Sequence, residues 1–114
     1  MTCSEAGPSA VHPAMPTLEA RKLLTVIAPR EFQRFVIERL ADCGASGYTV
    51  TPATGSGSTG LRSGMLATDA NVRIEVILPE AQLGATLEGL SELIASGYRV
   101  KAFVADITLL PDRP

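Results

Sequence analysis

A segment rich in glycine and serine near the middle of the chain holds the residues best suited to binding a ligand. From Gly55 to Gly64 it reads Gly-Ser-Gly-Ser-Thr-Gly-Leu-Arg-Ser-Gly, and its one charged side chain is Arg62. Glycines let successive backbone N–H groups converge on an anion, hydroxyls add donors, and a guanidinium offers a planar fork that fits phosphate or carboxylate. The composition therefore suits an anion-binding loop, although a Gly/Ser-rich stretch is more often a flexible connection than a ligand site.

Other kinds of chemistry find little support in the sequence. The segment lacks the Gly-Lys-Ser/Thr ending of a P-loop and does not open a helix, so neither a Walker-type ATPase nor a Rossmann dinucleotide site is indicated. The single histidine, His12, has no partners for a Ser-His-acid or Cys-His set. Asp69, Glu75 and Asp106 are more typical of turns and sheet surfaces than of general bases. We expect a protein that is not an enzyme.

Composition limits the remaining classes of protein. The 114 residues are 46% hydrophobic, which suits one domain with one core, and 10 basic against 12 acidic residues do not form a nucleic-acid surface. No apolar run is long enough to span a membrane, and no signal peptide is recognisable at the N-terminus. Cys3 and Cys43 show neither metal-ligand spacing nor a disulfide framework. We expect a soluble cytoplasmic protein that binds no metal and meets a membrane only through a partner protein.

An internal repeat indicates how the elements are arranged. The hexapeptide Ala45–Val50 returns with one change as Ala95–Val100, an offset of 50 that also relates Pro29 to Pro79. We therefore expect strand end, helix start, helix end and next strand start to repeat together. Two units are too few for a solenoid, which favours a ferredoxin-like α+β sandwich of two βαβ halves.

Hydrophobic patterns predict the order β-α-β-β-α-β for these elements. The predicted strands cover residues 22–28, 48–53, 71–78 and 99–110. The predicted helices run from Pro29 to Gly44 and from Glu80 to Gly97. We expect a disordered leader over residues 1–20, one domain over residues 21–110 and a short tail over residues 111–114.

Each predicted helix has one apolar stripe that should face the sheet. The stripes are Phe32, Val36, Leu40 and Cys43 in the first helix and Leu83, Leu87, Leu90 and Ile94 in the second. Gly84 and Gly89 interrupt the second helix at a cost of about 1 kcal/mol each relative to alanine. We therefore expect tertiary packing to sustain that helix.

The sheet face opposite the helices is also predicted to be apolar. If Val26 and Val76 both point at the helices, alternation along the strands assigns seven residues to the open face. They are Leu23, Thr25, Ile27, Ile77, Phe103, Ala105 and Ile107. Because this set is too apolar for a face in water, we infer a closed homo-oligomer, unless a bulge in the last strand exchanges the set.

The order of these motifs resembles the PII-like signalling proteins. The resemblance rests on four stretches in sequence: Gly44–Val50, Gly55–Ser58, Leu61–Gly64 and Asn71–Val76. It extends over residues 22–110 and is greatest to the branch linked to bicarbonate transporters and carboxysomes. The resemblance implies a homotrimer of ferredoxin-like subunits with a long mobile loop, here residues 55–70, that docks on a partner protein.

It also implies adenine nucleotides in the clefts between subunits, with the base of the loop on the phosphates. By motif, the nucleotide-binding positions are Gly55, Gly57, Ser58 and Arg62, and Arg99 and Lys101 are candidates to add charge from the neighbouring subunit. The partner-binding positions are Gly60, Leu61, Arg62, Ser63, Gly64 and Met65. Arg99 and Lys101 are equally well read as ordinary exposed strand residues.

Departures from the family pattern narrow the expected ligand. Classical members carry a Gly-Asp-Gly-Lys-type loop before the last strand and basic residues after it, whereas this chain has Ser96-Gly97 before it and ends at Pro114. The resemblance therefore favours AMP or ADP over a triphosphate, together with bicarbonate as a candidate second anion, and a bicarbonate transporter or carboxysome-linked protein as the partner. The alternative readings are a metal-handling trimer like the divalent-cation tolerance proteins and an assembly module without a ligand.

Overall fold

The computed structural model describes residues 16–54 and 70–112 of the chain. Over these residues the backbone forms one four-stranded antiparallel sheet with two α-helices packed against one face. The strands are β1 (Glu19–Pro29), β2 (Thr49–Ala53), β3 (Asn71–Leu78) and β4 (Lys101–Leu109). The helices are α1 (Gln33–Asp42), which follows a 3-10 turn at Arg30–Phe32, and α2 (Glu80–Ala95). The strand order β2-β3-β1-β4 confirms the predicted α+β, ferredoxin-like fold.

The ends of β1, β2 and β4 differ from the prediction, and pairing partners account for the larger differences in β1 and β4. β1 begins at Glu19, which pairs with Leu109 of β4, so residues 19 and 20 are part of the sheet. β4 begins at Lys101, which pairs with Ile27, and not at Arg99 as expected. Local residue preferences carry no information on this long-range pairing. The ends of strands are therefore hard to predict from the sequence.

The prediction that the two helices end at equivalent positions of the internal repeat is wrong. Gly44 and Gly97 both have φ +104° and close their helices, and the N–H of each next residue donates to a carbonyl in the last helical turn at 3.0 and 3.2 Å. Gly47, the glycine that matches Gly97 in the repeated hexapeptide, lies beyond this cap. The offset of 50 relates Pro29 to Pro79, but it relates neither the helix ends Asp42 and Ala95 nor the following strand starts Thr49 and Lys101. The predicted repetition is therefore wrong for the helix end and for the next strand start.

At Gly89, α2 packs closely against side chains at the end of α1. A Cβ added there would lie 2.7 Å from the Sγ of Cys43, and the aliphatic part of Arg39 is only 3.2 Å away. Arg39 then donates from Nη1 to the Gly89 carbonyl at 3.0 Å and to Glu92 at 2.9 Å. Gly84, by contrast, faces open space. The expectation that packing sustains this helix is confirmed at Gly89 and finds no support at Gly84.

The core lies between the helices and the sheet. It consists of Leu24, Val26, Ala28, Val36, Leu40, Val72, Ile74, Val76, Leu78, Leu90 and Leu93. The predicted stripe of α2 is wrong at Ile94, which is 47% exposed, whereas Thr86 and Leu93 are buried. Leu83, Leu87 and Leu90 of the predicted stripe do contact the core. The buried surface of α2 extends from them to Thr86, Gly89 and Leu93, because α2 packs against α1 as well as against the sheet. Neither α1 nor α2 is long and apolar enough to cross a membrane.

The other sheet face, here called the open face, has the predicted residues. Val26 and Val76 are buried beneath the helices, so the alternating positions of the same strands point the other way. Ile77 and Phe103 on that face are 47% and 46% exposed. Thr25 is an exception because it lies between Glu75 and Phe103 in the pairing and is 1% exposed. No bulge interrupts the pairing of β1 with β4, so the predicted facing is confirmed.

Candidate functional site

The two ends of the segment between β2 and β3 meet at one end of the sheet, here called the loop end. Ala53 pairs with Asn71, and Asn71 also pairs with Pro29 at the end of β1. The backbone N–H of Arg30 donates to the carbonyl of Ala70 at 2.9 Å. The chain therefore enters and leaves the glycine-rich segment beside the start of α1, from a paired and hydrogen-bonded base.

Four exposed basic residues lie at or next to the loop end. Arg30 follows β1, Arg73 lies near the start of β3, and Arg99 and Lys101 precede and begin β4. Arg73 and Lys101 both pair with Ile27, from opposite sides of β1. Arg73 forms an ion pair with Glu75, but no acidic side chain of the described residues lies within 4.0 Å of the other three. This end of the sheet thus attracts anions.

An aromatic cluster fixes the segment that carries Arg99 and Lys101. The ring of Tyr98 contacts Phe32 edge to face, with centroids 4.9 Å apart, and Phe35 at 5.5 Å. Tyr98 also follows the glycine that closes α2, so its backbone direction is set by the helix cap. Aromatic pairs of this geometry add stability beyond that of apolar burial. Tyr98 therefore anchors the connection between α2 and β4 to α1.

Two of the acidic residues that the sequence analysis considered, Glu75 and Asp106, form ion pairs. Glu75 accepts a hydrogen bond from the Nε of Arg73 at 3.2 Å. Asp106, at the opposite end of the sheet, forms an ion pair with Lys22. The hydrogen bond to Asp106 raises the pKa of Lys22 above its ordinary value of 10.5, and the charges of Asp106 and Glu80 act in the same direction against the effect of burial.

The sequence had identified only part of this site. Arg99 and Lys101 lie at the loop end as exposed side chains, while Arg30 and Arg73 were missed. The predicted nucleotide-binding positions Gly55, Gly57, Ser58 and Arg62 and the predicted partner-binding positions Gly60, Leu61, Arg62, Ser63, Gly64 and Met65 lie outside the described residues. In the described part of the chain, no three histidine, cysteine, aspartate or glutamate side chains are grouped to hold a metal ion.

Comparison with known proteins identifies the family of this chain. Residues 21–110 match the protein-family model of nitrogen regulatory protein P-II. The chain belongs to the P-II family. Proteins of the P-II family are typically trimers that interact with partner proteins, and they are generally signalling proteins without enzymatic activity. The predicted resemblance to PII-like proteins is thus confirmed at the level of the family, and the chain is a PII-like regulatory protein.

Solved structures with the same fold include relatives with bound nucleotides. A PII-like signalling protein from Thermus thermophilus is 32% identical, with a TM-score of 0.67 over 84% of this chain and 94% of that one. CPII from Thiomonas intermedia K12, in a structure with ADP and bicarbonate, is 30% identical, with a TM-score of 0.73 over 85% of this chain and 95% of CPII. Another CPII structure, with ADP, AMP and acetate, matches at 28% identity and a TM-score of 0.70 over 82% and 91% of the two chains. No curated protein sequence gives a significant match.

Proposed function

We propose that this P-II protein is a sensor that binds AMP or ADP in clefts between the subunits of a homotrimer. The observation that carries the proposal is the group of basic side chains Arg30, Arg99 and Lys101 at the loop end, beside both ends of the glycine-rich segment. Among the described residues these three side chains have no ion-pair partner. Gly55, Gly57, Ser58 and Arg62 would contact the phosphates from that segment, and Arg99 and Lys101 would add charge from the neighbouring subunit. The structures of CPII with ADP and AMP support this ligand class.

The number of cations in the connection between α2 and β4 bears on how many phosphates the bound nucleotide carries. The connection from α2 to β4 is short and carries one cation, Arg99, before the strand begins at Lys101. Each added phosphate brings further negative charge, which cationic side chains must compensate when the nucleotide leaves water. A connection with a single cation suits a mono- or diphosphate better than ATP.

Nucleotide occupancy would be passed on to a partner protein by residues 60–65 of the same segment. A ligand shifts a protein between states only by the difference in its affinity for them. Phosphate contacts at Arg62 would favour one arrangement of the segment, and its other residues would then bind or release the partner. The structure of CPII bound to ADP and bicarbonate supports a role in inorganic-carbon uptake or at a carboxysome-linked partner.

Replacing two arginines tests the proposed phosphate site. Arg62→Ala and Arg99→Gln should each weaken ADP binding about tenfold or more, because each removes a charge-assisted hydrogen bond. Adenosine, which lacks phosphates, should bind all proteins alike. Arg21→Gln, at the opposite end of the sheet, is the matched control, and calorimetry on the full-length chain supplies the affinities. Equal ADP affinities in all variants would remove both residues from the site.

A further inference from the structure

A groove open to solvent lies between α1 and the last turns of α2, and it is here called the helical groove. Its volume is about 490 Å³. The apolar part of its lining comes from Phe35 of α1, Leu93 of α2 and Tyr98 of the connection to β4. The helices cover the sheet face opposite the open face, so the helical groove is not part of the surface that the subunits are expected to share.

The two aromatic rings of the helical groove are held in place and are suited to a cation. The ring centroids of Phe35 and Tyr98 are 5.5 Å apart, and Tyr98 also contacts Phe32. Phe35 is nevertheless 40% exposed. The guanidinium of Arg34 lies 5.8 Å from the centroid of Phe35, within the range in which an aromatic ring attracts a cation. Arg34 itself does not line the groove, which leaves the groove side of Phe35 to a cation from another molecule.

The charged side chains that line the helical groove leave an excess of negative charge. Glu38, Arg39 and Asp42 line it from α1. Nη1 of Arg39 donates to Glu92 at 2.9 Å, so these two charges compensate each other. Among the described residues Asp42 has no ion pair, and Glu38 has only a contact of 3.8 Å with the exposed Arg34, which contributes little. Two carboxylates of the groove are therefore available to a cation.

The end of α2 adds to the negative potential of the helical groove. Ser96, which lines the groove, directly follows the last residue of α2. The carbonyl end of a helix carries a partial negative charge that a nearby cation stabilises. α1 has Arg39 in its last turn, whereas the last turn of α2 has no basic side chain. The aromatic rings, the carboxylates and the helix end thus favour the same kind of ligand, a cation.

We infer that the helical groove binds an arginine side chain of a partner protein. A guanidinium stacks on an aromatic ring through its plane and donates from its edge to carboxylates. A segment of a partner protein would also cover the apolar residues of the groove, which a small free cation leaves in water. Proteins of this family typically interact with partner proteins. The inference rests on the proposed function in one respect, since it gives the partner a second contact besides residues 60–65.

The inference is tested by nuclear magnetic resonance on the ¹⁵N-labelled full-length chain, without nucleotide. The probe is the peptide acetyl-Ala-Ala-Arg-Ala-Ala-amide, and its control is the same peptide with citrulline, the neutral analogue of arginine. At constant ionic strength the arginine peptide should shift the amide signals of Phe35, Asp42 and Ser96 saturably and together, while that of Ile77 on the open face stays in place. The citrulline peptide should bind about tenfold more weakly, because it loses the charge-assisted hydrogen bonds.

Variants decide whether the helical groove is the place of binding. Asp42→Asn and Phe35→Leu should each weaken binding of the arginine peptide about threefold or more, because one removes a carboxylate and the other removes the aromatic ring. Glu88→Gln is the matched control, since Glu88 is an exposed acidic residue of α2 that does not line the groove. Thermal melts of each variant establish that it is folded.

The outcomes separate the inference from the proposed function. Equal affinities for the arginine and citrulline peptides, or equal affinities of Asp42→Asn and Glu88→Gln for the arginine peptide, overturn the inference, whatever ADP does. Ethylguanidinium, which carries the same charged group without a peptide, should bind more weakly than the peptide, and equal binding would overturn the assignment to a partner protein. Binding of the arginine peptide in the groove of a protein that fails to bind ADP would keep the groove and remove the proposed nucleotide sensor.

Discussion

Among single residues, the ion pair of Lys22 and Asp106 gives the clearest dependence on pH. The folded state raises the pKa of Lys22 above 10.5, so the stabilisation is complete below that pH and is lost as the pH rises through the folded-state value. We predict that urea stability falls more steeply from about pH 10.5 upward in the unaltered chain than in Lys22→Met. Lys101 has no ion pair among the described residues, so Lys101→Met should keep the steep fall in stability. Equal slopes in all three proteins would refute this role of Lys22.

The cations of the candidate site show what the sequence alone leaves out. The glycine-rich segment and Arg99 were recognisable from residue types and from the order of motifs. Arg73 was noted only as one member of an alternating strand, because its place beside Ile27 and across from Lys101 depends on the register of three strands. Register is set by long-range pairing that hydrophobic alternation does not specify by itself. Arg30 was missed for a similar reason, since its partner Ala70 lies far along the chain.

Among the elements, α2 contains two glycines that should respond oppositely to the same substitution. Gly84→Ala should raise the free energy of unfolding by up to about 1 kcal/mol, because the site is open and alanine favours a helix. Gly89→Ala should lower it by about 1–3 kcal/mol, because the new methyl group meets the Sγ of Cys43. Urea unfolding at one fixed protein concentration measures both. In a Cys43→Ala background the penalty at Gly89 should shrink, and an unchanged penalty would show that the contact with Cys43 is not its cause.

The same helices show how far the internal repeat could be used. It predicted the number and order of elements and the Val26 and Val76 positions correctly, because those features depend on the strands. It failed at the helix ends, because Gly97 caps α2 from within the repeated hexapeptide whereas Gly44 caps α1 immediately before it. The repeated hexapeptide is compatible with a longer second helix and a shorter connection after it. Hydrophobic periodicity does not show at which residue such a helix ends.

For the whole molecule, the apolar open face supports assembly into the proposed trimer. Ile77 lies on that face beside Leu23 and is 47% exposed, and Ile94 on α2 is equally exposed at 47%. Burying a charge in an interface is costly, so Ile77→Glu should dissociate the assembly, whereas Ile94→Glu should not. Light scattering after size exclusion gives the mass of each protein. Dissociation by Ile94→Glu alone would put the interface on the helical side.

The account as a whole depends on a nucleotide bound by the native protein. The most direct measurement is a thermal-shift series with AMP, ADP, ATP and cyclic AMP, each with and without bicarbonate, followed by calorimetry. A ligand at about 100 times its dissociation constant adds roughly 2.7 kcal/mol to native stability, which such a series resolves. We predict stabilisation by AMP or ADP that exceeds that by ATP. No shift with any of the four nucleotides would contradict the sensor and leave a P-II protein that acts only through its protein contacts.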